Sequence, residues 1–113
     1  MYNKCFMVGK VTSEIESKTI GQGTRVSTFR IKTHDPYDQY HTINCYDKTA
    51  DSTQKLKRDD VVFIEGRVVT RKYTDKSGVV KYITTINAAR VSHIDEYKNM
   101  ETTQKEKETE DDF

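Results

Sequence analysis

Residues 61–94 read VVFIEGRVVTRKYTDKSGVVKYITTINAARVSHI, and the fold turns on this stretch. Two long runs rich in Val, Ile, Thr and Tyr, Val61 to Tyr73 and Val80 to Ile94, flank Thr74-Asp75-Lys76-Ser77-Gly78. Runs of β-branched and aromatic residues favour strands, and a short polar loop with Gly near its end favours a hairpin in which Gly takes a left-handed backbone position. Gly66, with no side chain, is where the first long strand is able to bend.

Working outward, Cys5 to Ser13, Arg25 to Thr33 and Tyr40 to Asp47 show the same composition and a period near two, which makes five strands in all. Glu14 to Thr24, closed by Gly21-Gln22-Gly23, reads as a flexible connection. Lys48 to Asp59 breaks the rhythm, and its middle, Ala50 to Lys57, reads as a short helix whose main apolar contact is Leu56. The order β-β-β-α-β-β predicts an all-β chain: an OB-fold, a five-stranded Greek-key barrel with one short helix between strands 3 and 4. A small open sheet capped by one helix fits the same pattern.

The core has to come from this body. The chain has 113 residues, and beyond Ile94 its apolar residues are Tyr97, Met100 and Phe113. The formal charge of +1 divides at the same place, because residues 1–94 hold 16 Lys/Arg against 10 Asp/Glu while residues 95–113 hold 3 against 8. A basic body beside an acidic segment points to nucleic acid for the first and to a solvated or partner-binding role for the second. The expected division is a barrel domain over 1–95 and a disordered acidic tail over 96–113. No run approaches the ~20 apolar residues of a membrane span, and the opening residues lack the pattern of a signal peptide. A cytoplasmic protein without membrane contact is expected. Cys5 and Cys45 then read as buried thiols rather than a disulfide.

Binding single strands without regard to sequence requires cations to meet phosphates and aromatic faces to stack on bases. Tyr37, Tyr40, Tyr46, Tyr73 and Tyr82 supply the candidate faces, and Arg30, Lys32, Lys48, Arg71, Lys72 and Lys81 the candidate phosphate contacts. The bland reading is that Tyr is a good β former whose cross-strand pairs pack any sheet. Catalytic signals are thin. His34, His41 and His93 are scattered, and HExxH, GxSxG and Gly-rich phosphate loops do not occur. Asp59-Asp60 reads as a loop feature, so neither a cofactor nor a metal is expected, and no enzymatic activity.

The run Phe63 to Gly78, with its Ile64-Glu65-Gly66, Thr70-Arg71 and Tyr73, resembles the signature of the bacterial-type single-stranded DNA-binding proteins. Asn3-Lys4 with Gly9 resembles that family's first strand, and Tyr40-His41 its third. The resemblance implies an OB-fold that assembles through strand contacts, as a homotetramer by preference or a dimer, and wraps single-stranded DNA. It implies stacking at Tyr40, Tyr46 and Tyr73, with Tyr37 matching a loop aromatic. Tyr stands where the family carries Trp, so weaker stacking per base is expected. The tip Glu110-Asp111-Asp112-Phe113 resembles the family's acidic docking tip for replication, recombination and repair proteins. It lacks the usual Pro, and the short linker before it suggests a phage, plasmid or other mobile-element version. Two other functions fit an OB-fold, an adaptor that mainly binds protein and a metal-dependent nuclease.

Overall fold

The computed structural model describes residues 1–94, so the tail and its tip, Glu110 to Phe113, lie outside the described residues. Strands β1 (Cys5–Val11), β2 (Glu16–Ile20), β3 (Thr24–His34) and β4 (Asp38–Tyr46) come first, followed by helix α1 (Lys48–Ser52). Strands β5 (Val61–Thr74) and β6 (Val80–His93) complete the chain.

Alternation along the strands of the barrel builds the core. In β3, Phe29 and Ile31 are buried while Arg30 between them is exposed. Ile43 and Cys45 of β4, Val62 and Ile64 of β5, and Val11 of β1 turn inward in the same way, because successive side chains point to opposite faces. The barrel closes in the order β1-β5-β6-β4-β3, and β3 returns to β1. All of these pairings are antiparallel except β4 with β6, which is parallel through Ile43 with Ile86 and Asn44 with Asn87. This is the five-stranded OB-fold expected from the sequence.

Two features differ from the sequence reading. The connection Glu14 to Thr24 contains a sixth strand, β2, which pairs with β3 in a hairpin outside the closed barrel. Every residue of β2 is exposed, so it carries no apolar alternation to betray it. The helix is also earlier and shorter than Ala50 to Lys57. Ala50 is buried within α1, while Leu56 is buried from the turn that follows. Between them Thr53, fully buried, donates from Oγ1 to the Ala50 carbonyl oxygen at 2.7 Å and lies 2.8 Å from Ser27 Oγ. The helix is tied to the barrel from outside by Arg25, whose guanidinium donates to both Asp51 carboxylate oxygens at 2.7 and 2.8 Å.

The ribbon β5–β6 extends from the barrel through a register shift at Glu65/Gly66. A Cβ on Gly66 would collide with the Asn87 carbonyl oxygen, so this close crossing needs glycine. At the far end Gly78 has φ 85°, the left-handed position expected of it. Asp75 shapes that loop by accepting from the backbone N–H groups of Ser77 and Val79, at 2.9 and 3.0 Å, and from Ser77 Oγ at 2.7 Å.

Candidate nucleic-acid interface

The outer face of β3 and β4 is set by register. Cross-strand partners share a face, so the pairs Val26–Tyr46, Thr28–Asn44, Arg30–Thr42, Lys32–Tyr40 and His34–Asp38 form successive steps on the side away from the core. The β5–β6 ribbon continues the surface. Beyond Asn87, which is level with Asn44, the pairs Val69–Thr85, Arg71–Ile83 and Tyr73–Lys81 present one face of the ribbon. A groove of about 340 Å³ runs between this ribbon and the β2–β3 hairpin, lined by Lys18, Ile20, Thr28, Asn44, Tyr46, Arg71, Ile83 and Thr85 among others.

This geometry sorts the predicted residues. Tyr46 lines the groove and is half-buried, Tyr73 stands at its ribbon end, and Tyr40 lies two steps beyond Asn44 with 60% of its surface exposed. Arg71, Lys81, Arg30 and Lys32 share the face with them, and Tyr37 is exposed in the β3–β4 loop. Lys72 and Tyr82 pair with each other on the opposite face of the ribbon. Lys48 begins α1 and does not line the groove.

The structure also adds residues that the sequence reading passed over. Lys18 and Ile20 reach the groove because β2 is a strand, and Ile83 because alternation along β6 brings it beside Arg71. Asn44 is held in place by Thr28, whose Oγ1 donates to Asn44 Oδ1 at 3.0 Å, which leaves the amide N–H groups as donors. Exposed apolar side chains next to guanidinium and ammonium groups are an unusual use of surface. They suit a ligand that is flat and apolar on its faces and anionic along its backbone.

The remaining titratable groups have structural partners. His41 turns inward, 2.9 Å from Thr33 Oγ1, and burial lowers its pKa. Asp60 accepts from the Lys57 N–H at 3.0 Å and lies 3.6 Å from His93 Nε2, while Asp59 occupies a turn with φ 75°. Among the described residues no three His, Cys, Asp or Glu side chains converge as metal ligands, and no helix is long and apolar enough to cross a membrane. Both cysteines are free thiols.

The described residues form a closed OB barrel with a long ribbon and one flank that is both aromatic and basic. The chain belongs to the single-strand binding protein family, whose profile matches residues 2–94. Among curated relatives it is 29% identical over 97 residues to a single-stranded DNA-binding protein of Bacteroides thetaiotaomicron, a match covering 74% of this chain and 60% of that one. It is 26% identical over 106 residues to one from Wolinella succinogenes, covering 84% of this chain and 65% of that one. The chain therefore spans less than two thirds of the length of these relatives. The fold is similar to that of the Plasmodium falciparum SSB in its complex with ssDNA, with a TM-score of 0.74, 23% identity, and coverage of 84% of this chain and 97% of that chain.

Proposed function

We propose that this protein binds single-stranded DNA with little regard to sequence and coats unpaired strands in replication, recombination or repair. The observation that carries this reading is the continuous outer face on which Tyr40, Tyr46 and Tyr73 alternate with Arg30, Lys32 and Arg71. Each aromatic supplies a stacking platform of about 1–3 kcal/mol per base, and each cation a phosphate contact that displaces a counterion. The role is non-enzymatic and cytoplasmic. Membership of the family and the names of its relatives support the reading.

Self-association accompanies it. On β1, Phe6 and Val8 are exposed on the outside of the barrel, and the Phe6 ring stacks on Phe63 with centroids 6.0 Å apart. β1 pairs with β3 at Lys10 and Val11, so the edge of Cys5 to Val8 away from β5 has no strand partner among the described residues. An open strand edge beside exposed aromatics suits pairing with a second copy, as a tetramer by preference or a dimer. Residues 1–95 are the binding domain in this reading. Residues 96–113 are an acidic tail whose tip, Glu110 to Phe113, recruits partner proteins through an apolar anchor and flanking carboxylates.

A labelled oligo-dT, titrated with protein and challenged with duplex DNA and RNA of equal length, tests the proposal. Single-stranded DNA should compete fully and duplex poorly. Equal competition by duplex would contradict it.

A further inference from the structure

The seam that closes the barrel consists of two residue pairs between β1 and β3, Lys10 with Lys32 and Val11 with Ile31. Val11 and Ile31 are fully buried, so Lys10 and Lys32 project from the outer face. Gly9 keeps the strands close, because a Cβ there would lie 2.8 Å from the Lys32 carbonyl oxygen and 3.0 Å from Ile31 Cδ1. Two half-buried lysines are therefore rooted at opposed positions on one outer face.

Like charges directly opposed across an antiparallel pair are destabilising. Among the described residues neither lysine forms an ion pair with a carboxylate. The closest candidate is Asp38, whose pKa is lowered first by its hydrogen bond to His34 and further by the charge of Lys32. Its Oδ1 already accepts from His34 Nδ1 at 2.7 Å. Lys10, Lys32, His34 and Asp38 border a cavity of about 360 Å³ floored by Val8, Gly9 and Val61. That is ample room for a phosphate group.

On its other side Lys32 is paired with Tyr40, so Lys10, Lys32 and Tyr40 form one transverse row across three strands on a single face. A base stacked on Tyr40 would carry its neighbouring phosphate along this row. Two flexible lysines rooted on adjacent strands can converge on one phosphate, each offering up to three donors.

We propose that Lys10 and Lys32 form a phosphate subsite that carries the DNA backbone off the β3–β4 face and over the barrel seam onto β1. The inference rests on the single-strand reading above and assigns that reading a path it did not contain. Repulsion between the two lysines is a cost in the free protein, and a bridging phosphate removes it.

The test uses the full chain with Lys10→Gln, Lys32→Gln and the double substitution, and Lys55→Gln on the turn after α1 as the control. Binding to labelled oligo-dT is measured across a salt series, and melting of the free proteins at low salt. The double variant should bind several-fold more weakly at low salt, with a log–log salt slope shallower by about 0.7 for each phosphate that is no longer neutralised. Its melting midpoint without DNA should equal or exceed that of the parent, and the control should match the parent throughout. A double variant with the parental affinity and slope overturns the subsite while leaving the single-strand reading intact. Tighter binding by the variant also overturns it, because an acidic segment of the chain would then occupy the lysines in the free protein. A lower melting midpoint would show that the pair is already compensated, and this too overturns the subsite. A parent that does not bind oligo-dT defeats the reading beneath the subsite as well.

Discussion

Tyr73 faces Lys81 directly across the β5–β6 ribbon, and that pairing puts Tyr82 on the ribbon's other side. Both tyrosines are substantially exposed, 46% for Tyr73 and 67% for Tyr82, so exposure alone does not distinguish them. Position does. Tyr73 continues the face of Arg71 and Ile83 that lines the groove, whereas Tyr82 shares its face with Lys72. Tyr73→Ala should weaken binding to single-stranded DNA by about 1–3 kcal/mol, and Tyr82→Ala by less than about 0.5 kcal/mol. Fluorescence anisotropy with one labelled oligonucleotide compares the two, and equal losses would contradict the assignment of faces.

The hairpin that positions Tyr73 depends on Asp75. Its carboxyl is held below the usual range first by the Ser77 hydroxyl, then by the Val79 N–H and by Lys81, whose Nζ lies 3.1 Å away. A carboxylate with a depressed folded pKa stabilises in full above its unfolded value near 3.9, and the contribution is lost as pH falls through the lower folded value. Titration of Asp75 followed by NMR should place its midpoint below that of a free aspartate. Asp75→Ala should remove the acceptor shared by the Ser77 and Val79 N–H groups and raise hydrogen exchange at both, with the barrel strands unaffected.

Cys45 behaves in the opposite sense. Burial pushes its thiol up to about 11, with the Ser27 hydrogen bond acting weakly against the shift. The unfolded thiol loses its proton near pH 8.5 while the native one keeps it, so the native state binds more protons over the interval up to about pH 11. Stability therefore falls with rising pH, by up to about 1.4 kcal/mol per pH unit from this group. Denaturant titrations of the parent and Cys45→Ala between those pH values should show the steeper fall in the parent. Parallel curves would contradict the shift.

Gly66 offers a test of the fold itself. A side chain there meets backbone at Asn87 and Ala88, which cannot move aside as a flexible side chain would. Gly66→Ala should cost about 1–3 kcal/mol of stability, in the range of an overpacked core. At Gly21, where a Cβ would meet nothing within 4 Å, a substitution is strained by the φ of 54° alone, and replacement by Asn, which tolerates that conformation, should cost less. Thermal melting of the two variants beside the parent makes the comparison.

The barrel was legible because its strands bury one face, and burial writes alternation into the sequence. Phe29 and Ile31 against Arg30 is the plainest case. The strand β2 was illegible for the same reason reversed, since Glu16 to Ile20 are all exposed and it is their pairing with β3 that makes them a strand. Helix α1 was misplaced because Leu56 looked like a helical contact, whereas it is buried from a turn. The candidate site was legible by residue type and obscure by face. Tyr73 and Tyr82 look alike in sequence, and only the register of the hairpin separates them. Lys10 gave no signal, because only the closure of the barrel makes it a neighbour of Lys32, 22 positions later.

The central claim is that aromatic faces on one flank of the barrel hold unpaired bases. The direct measurement is the affinity for labelled oligo-dT of a triple variant, Tyr40→Leu, Tyr46→Leu and Tyr73→Leu, which keeps bulk at each position and loses the flat ring. With the fold intact by circular dichroism, stacking on these rings predicts a loss of at least about 3 kcal/mol, on the order of 100-fold in Kd. Affinity within about threefold of the parent would contradict it.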